Sequence, residues 1–401
     1  MATLRTRAAF ALSAAGAIVV AAAVAGCASL EVDGAFEGLQ SLTAPQAADN
    51  PARVFVIHGM IRHENNYADG LAQSLGDRLG FKSAGIEDAP VSVPDPVAPG
   101  GVVSLNLRTY YFSDGAQERL RIGALNWSPL TAAIKDRQFY DDDQVQRAAI
   151  NGLIKTQLLN EGLSDAVLFL GDFQPTMRAG VMAGLCAFLE GDLKGEFCAA
   201  ARRSTAPIAF ISESLGSYML LDAIEHLNNT PRAKAESAAG FDMLARLRVV
   251  YMFANQIPLL GLSELDRLKA IAVGRQTSKS LGARAPAAKT RLGKFFELVR
   301  QARARAGVRA RTARQPVAPT PPFQFVAFTD SNDLLSYAIR ASDVPSSPDF
   351  APPANVRSPN AVAWFDLFAD PVAAHNNYSS NPQALELVVC GTKGCAKADA
   401  R

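Results

Sequence analysis

Short apolar runs separated by helix-patterned stretches predict an α/β fold with a mostly parallel central sheet flanked by helices. Residues 53–57, 208–211, 247–253 and 323–328 are almost continuously apolar, as strands covered on both faces are. Between them Leu71, Leu75 and Leu79 recur at helical spacing, and Tyr218, Met219, Leu221 and Ile224 are set to cover one helix face. A third observation is the junction at 208–224, where an apolar run passes through small residues directly into a helix. With 401 residues, 49% of them hydrophobic, the chain can bury one large core carrying insertions.

The first residues stand apart. Arg5 and Arg7 precede an Ala-rich apolar run over 8–25, the charged front and short apolar middle of a secretory signal. The run is shorter than the roughly 20 apolar residues of a membrane span. It ends Val24-Ala25-Gly26-Cys27, which resembles the lipobox of bacterial lipoproteins. That resemblance implies removal of 1–26, a lipid on Cys27 and a membrane partnership through that anchor. With Ala28 rather than Asp next, it also implies an outer-membrane address facing the periplasm or the cell surface. Losing Arg5 and Arg7 with the leader takes the formal charge from +2 to 0, so no general charge draws the chain to nucleic acid. Four further cysteines remain. An oxidising compartment suits two local bridges, Cys186–Cys198 and Cys390–Cys395, with other pairings open. Neither pair has the histidines of a zinc site, and the sequence carries no nucleotide or metal motif, so no cofactor is expected.

Taken in order, 27–51 is polar, lacks periodicity and reads as a tether. The domain is expected over 52–395 with a tail at 396–401. After the strand at 53–57 comes a helix over 67–79, then a Pro/Gly-rich loop at 88–101. Residues 102–112 and 119–127 read as two strands joined by a turn, one in the main sheet and the other at its edge. An insertion about 128–200 follows. Within it, 141–163 is expected to be helical, 165–170 a strand or buried segment, and 175–190 helical. Past the strand at 247–253, a helix is expected over 262–273 and a basic insertion about 275–320. Residues 289–305 in that insertion are able to form an amphipathic helix showing Leu292, Phe295, Phe296 and Val299. A solvated flexible segment and a lid or lipid-surface contact are the two readings of it. The strand at 323–328 leads into Asp330 and Asp333, a Pro-rich loop spans 343–359, the last strand is placed at 361–368, and a closing helix at 382–389.

The chemistry is concentrated at 212–216, Ser-Glu-Ser-Leu-Gly. A serine held between small residues on a sharp strand-to-helix turn is a nucleophile elbow, and the helix N-terminus beneath it favours developing negative charge. Here the chain resembles the α/β-hydrolase superfamily of serine esterases and lipases, with Ser212 standing where the family's first glycine is usual. The resemblance covers most of 53–389 as ordered landmarks rather than one long signature. It implies Ser214 as nucleophile and His375, on the loop after the final strand, as general base. The acid would come from the turn at 330–333: Asp333 is preferred, with Asp330 the runner-up because it has a helix-capping role open to it. It further implies an oxyanion hole from the amides of Met60 and Leu215, carried by the loop His58-Gly59. His58 itself reads as a core histidine holding that loop, and His226 as a surface residue far along the elbow helix.

The reaction implied is hydrolysis of a carboxylic ester, with a small-molecule or lipid ester as substrate. Two other readings use the same residues. One is a catalytically silent hydrolase-fold lipoprotein serving as a binding or assembly factor, and the other is an acyltransferase.

Overall fold

The structure, a computed structural model, describes residues 30–43, 50–95, 97–98, 100–199, 204–229, 239–265, 290–312, 320–361 and 369–395. Its centre is a nine-stranded sheet. In chain order the strands are β1 (Glu31–Asp33), β2 (Ala52–Ile57), β3 (Lys82–Pro94), β4 (Val102–Ser113), β5 (Glu118–Asn126), β8 (Ile208–Glu213), β9 (Leu247–Phe253), β10 (Gln324–Thr329) and β11 (Ala354–Arg357). The spatial order is β1-β11-β10-β9-β8-β2-β5-β4-β3. Six strands from β11 to β5 run parallel, with antiparallel pairings only at β1–β11, β4–β5 and β3–β4. A separate two-stranded ribbon pairs β6 (Asp192–Lys194) with β7 (Phe197–Ala199). This is an α/β architecture with a mostly parallel central sheet flanked by helices.

The unbroken apolar runs follow from burial on both sides. Phe55, Ile57, Ile208 and Phe210 face one apolar layer, while Val54, Val56, Ala209 and Ile211 face the other, because successive side chains of a strand point to opposite faces. The first layer is covered by α5 (Gln174–Phe188), α6 (Leu215–Asn229), α7 (Ala239–Arg246) and α9 (Arg291–Thr312). The second is covered by α1 (Asp69–Arg78), α11 (Pro382–Cys390) and the segment holding Phe36, Leu39 and Leu42.

Several expectations change. The tether expected over 27–51 ends earlier, since residues 30–43 belong to the fold: β1 pairs with β11, and Phe36, Leu39 and Leu42 are buried against α11. The Pro/Gly-rich stretch before 95 is mostly β3, an edge strand. Its prolines, Pro90 and Pro94, are tolerated there because an edge leaves one row of amides unpaired anyway. The 102–126 hairpin is as expected, but both of its strands lie inside the sheet. In the insertion, α2 (Pro129–Asp143) ends before α3 (Ala149–Leu153), which continues through a π-helical stretch, Ile154–Leu163, into α4 (Ser164–Leu170). Of the two readings of 165–170, a strand or a buried segment, the strand gives way: the segment is a partly buried helix. Asp165, Ala166 and Phe169 are buried and Val167 is exposed, a helical rather than an alternating pattern.

The basic segment is neither loose nor a lid over its described part. Helix α9 buries Leu292, Phe295, Phe296, Val299 and Ala302 against Phe323, Phe325 and Phe350. Its Arg303 donates to the carbonyls of Leu247, Pro321 and Asp349, where β9 and β10 begin. The loop at 343–359 contains β11, and no helix begins at 331, so Asp330 caps none. The strand expected at 361–368 falls, from 362 on, outside the described residues, as do the leader, Cys27 and most of 262–273. Cys186–Cys198 and Cys390–Cys395 are both disulfide-bonded. No described helix is long and apolar enough to cross a membrane.

Candidate active site

β8 lies near the middle of the sheet, between β2 and β9, and its last residue, Glu213, delivers the chain to Ser214. That serine has φ of +52°, a left-handed conformation that costs a side-chain-bearing residue roughly 1–2 kcal/mol. Its amide is held by the carbonyl of Phe253 at 2.8 Å and its carbonyl by the amide of Ser217 at 3.1 Å. Helix α6 starts at the next residue. Two glycines make the turn possible. A Cβ on Gly216 would stand 2.2 Å from the carbonyl oxygen of His58, and one on Gly59 would stand 2.6 Å from the Ser214 Cβ. The 58–60 loop and the elbow therefore pack backbone against backbone. Ser212 fits the first flanking position because its hydroxyl is satisfied, accepting a hydrogen bond from Ser217 Oγ at 3.0 Å.

Helix α10 (Pro371–Asn376) carries His375, and Asp370 caps its start by accepting from the amides of Val372 and Ala373. The imidazole Nε2 is 3.0 Å from Ser214 Oγ, and Nδ1 is 2.8 Å from Asp333 Oδ1. The network fixes the roles: the hydroxyl donates to Nε2, and Nδ1–H donates to the carboxylate. Asp333 also accepts from the amide of Leu335 and from the Tyr378 hydroxyl, both at 3.0 Å. Burial pushes its pKa up, but the hydrogen bonds and the neighbouring imidazole outweigh burial and hold it below the ordinary carboxylate value.

Asp330 is not part of this chain of bonds. Its carboxylate accepts from the amides of Asn332 at 2.7 Å and Asn360 at 2.5 Å, fixing the turn that presents Asp333.

The loop after β2 is held from both sides. His58 is fully buried, with its ring stacked on Trp127 at 4.8 Å and Nδ1 donating to the Gly59 carbonyl. Nε2 accepts from the amide of Trp127. Burial, then the neighbouring His63, drives its pKa well below the usual value, so it serves as a neutral strut. Met60 follows, and neither its amide nor that of Leu215 is taken up by a protein acceptor among the described residues. Ile61 has φ of +74°, a strained setting for a β-branched residue. Its amide donates to Asp165 Oδ2 at 3.0 Å. Asp165 is fully buried with Lys135 at 3.1 Å, and Lys135 also reaches the Glu161 carbonyl and carboxylate.

Asp165, Lys135 and Tyr378 escape a reading of the sequence. The first two come from separate helices of the insertion, thirty residues apart, with no motif linking them. Tyr378 has only its nearness to His375 as a signal. His226 lies at the far end of α6, as expected, with Nδ1 on the Asp222 carbonyl.

Glu213, beside Ser214, is half-buried, and burial first, then the Asp333 charge, raise its pKa to about 7 against a pull from His375 in the other direction. Clustered ligand-type side chains among the described residues are Glu386, Cys390 and Cys395, and the disulfide removes the two thiolates a metal would need. Compared with protein-family models, curated proteins and solved structures, the chain matches none.

Proposed function

We propose that this chain is a serine hydrolase of the α/β-hydrolase type, cleaving carboxylic esters through an acyl-enzyme intermediate. The observation that carries the proposal is the unbroken hydrogen-bonded chain Ser214–His375–Asp333, assembled from residues 161 and 42 positions apart, on a serine held at positive φ.

In this mechanism Ser214 Oγ attacks the ester carbonyl carbon while His375 Nε2 takes its proton. The resulting oxyanion is met by the free amides of Met60 and Leu215, each such donor contributing about 2.7–4 kcal/mol. The imidazolium, stabilised by Asp333, then protonates the leaving alcohol as the C–O bond breaks. Water repeats the sequence on the acyl-enzyme, releasing the acid and restoring Ser214. Residues 129–170 act as a cap in this reading. Part of that cap is the Asp165–Lys135 pair, a positioning element that fixes the amide direction at 60–61.

We further propose that 1–26 is a lipoprotein leader and that Cys27 carries the lipid, tying the enzyme to the outer membrane. Hydrolysis of p-nitrophenyl butyrate tests the activity. The wild type should turn it over, and Ser214→Ala should lose about 10⁴-fold or more in kcat. Equal rates would end the proposal.

A further inference from the structure

We infer that the catalytic mouth faces the bilayer that holds the anchor, so that the substrates are esters resident in the membrane rather than dissolved ones. The inference rests on the serine-hydrolase and lipid-anchor readings above and adds an orientation to them.

Strand register supplies the first observation. β11, β10, β9 and β8 are all parallel, so Arg357, the last residue of β11, lies at the same end of the sheet as Ser214. β1 is antiparallel to β11, with Glu31 opposite Arg357 and Asp33 opposite Asn355. The chain therefore enters the fold at the mouth end. Cys27 precedes Glu31 by four residues, a reach of at most about 14 Å. Four strand spacings separate β1 from β8, about 19 Å sideways. A lipid on Cys27 thus has too little chain to place the opposite pole of the molecule against the membrane.

Exposed apolar side chains at that same end supply the second observation, independently. They project from three segments that follow strand ends. Leu163 and Val167 are on the outer face of the cap, whose inner side touches the 60–61 loop: a Cβ on Gly162 would stand 3.6 Å from Ile61 Cγ2. Leu262 and Leu265 follow β9, and Leu334 follows Asp333. Val167, Leu265 and Leu334 are 64–70% exposed.

The three segments are joined around the elbow. Phe169 of α4 packs on Tyr218 of α6, whose hydroxyl donates to Glu264 at 2.7 Å. Asn255 and Tyr337 exchange backbone and side-chain hydrogen bonds at 2.8 and 2.6 Å. Exposed apolar groups on three segments that border the polar site are suited to the boundary between headgroups and acyl chains, and the anchor holds them there.

Full-length, lipid-modified protein in vesicles of phosphatidylethanolamine and phosphatidylglycerol tests the orientation. Leu334→Trp should gain fluorescence quenched by brominated lipids, relative to the wild type. Val308→Trp, placed by Arg303 and Arg309 at the other pole, should gain none. Equal quenching at both positions, or quenching at Val308→Trp alone, overturns the inference.

In the same vesicles, Leu262→Glu/Leu265→Glu should keep soluble p-nitrophenyl butyrate turnover within about twofold and lose at least tenfold on a bilayer-embedded long-chain ester. Unchanged turnover of the embedded ester also overturns it. If neither ester is cleaved while Leu334→Trp is quenched, the orientation stands and the hydrolase reading fails.

Discussion

Asp333 illustrates how a single residue is set for its task by competing terms. Burial alone would favour its neutral form, and the donors from Leu335, Tyr378 and His375 reverse that. Replacing it with Asn keeps the shape but removes the charge that stabilises an imidazolium, and kcat should fall about 10⁴-fold. Tyr378→Phe deletes one donor to the carboxylate and should cost far less, a loss on the order of tenfold, measured in the same assay.

Glu213 gives a pH signature. Its folded pKa, about 7, lies above the ordinary 4.5, so its neutral form favours the folded state. That contribution is fully present below pH 4.5 and is lost as pH rises through about 7. Glu213→Gln removes the loss, so its melting temperature relative to the wild type should increase between pH 5 and pH 8. A difference independent of pH would contradict the assignment.

Ser212, Ser214 and Gly216 were legible as an elbow because steric demands confine that turn to small side chains. His375 was legible because so few histidines compete for the role. The choice between Asp330 and Asp333 turned on which carboxylate faces the imidazole. Two acids three residues apart in an irregular turn differ in direction, which spacing does not encode.

Among the elements, the parallel strands were readable because both faces are buried and the apolar run is continuous. β3 and β11 were not. One is an exposed edge strand with two prolines and the other is four residues within a Pro-rich stretch, so neither has the apolar continuity that marks a strand. In the sequence the 165–170 segment is open between a strand and a buried segment, because a short apolar run fits a buried strand and a buried helix equally well.

α9 is the element whose role changes most. Its charges suggested a surface insertion, yet its Phe295–Phe296 face forms an aromatic cluster with Phe323, Phe325 and Phe350. Phe296→Ala should therefore destabilise the fold by about 3–5 kcal/mol, read as a shifted denaturation midpoint. Substituting exposed Arg300 should change it little, since its pairing with Glu297 is a surface one.

In the proposed cap, Asp165→Asn should lower kcat more than it raises KM, because the Ile61 amide it holds adjoins Met60, the proposed oxyanion donor. An effect on KM alone would assign the cap to substrate binding.

At the scale of the molecule, the sheet brings a strand end, an acidic turn and a short late helix to one edge, where residues 214, 333 and 375 meet. The same end receives the chain from its N-terminal segment, so the proposed catalytic site and the proposed anchor share one pole. The most direct measurement of the central claim is covalent labelling of the folded protein with a fluorophosphonate, followed by peptide mapping. The account predicts one adduct, on Ser214, absent in Ser214→Ala and formed far more slowly in His375→Ala. A folded protein that takes no label, or takes it at another serine, would contradict it.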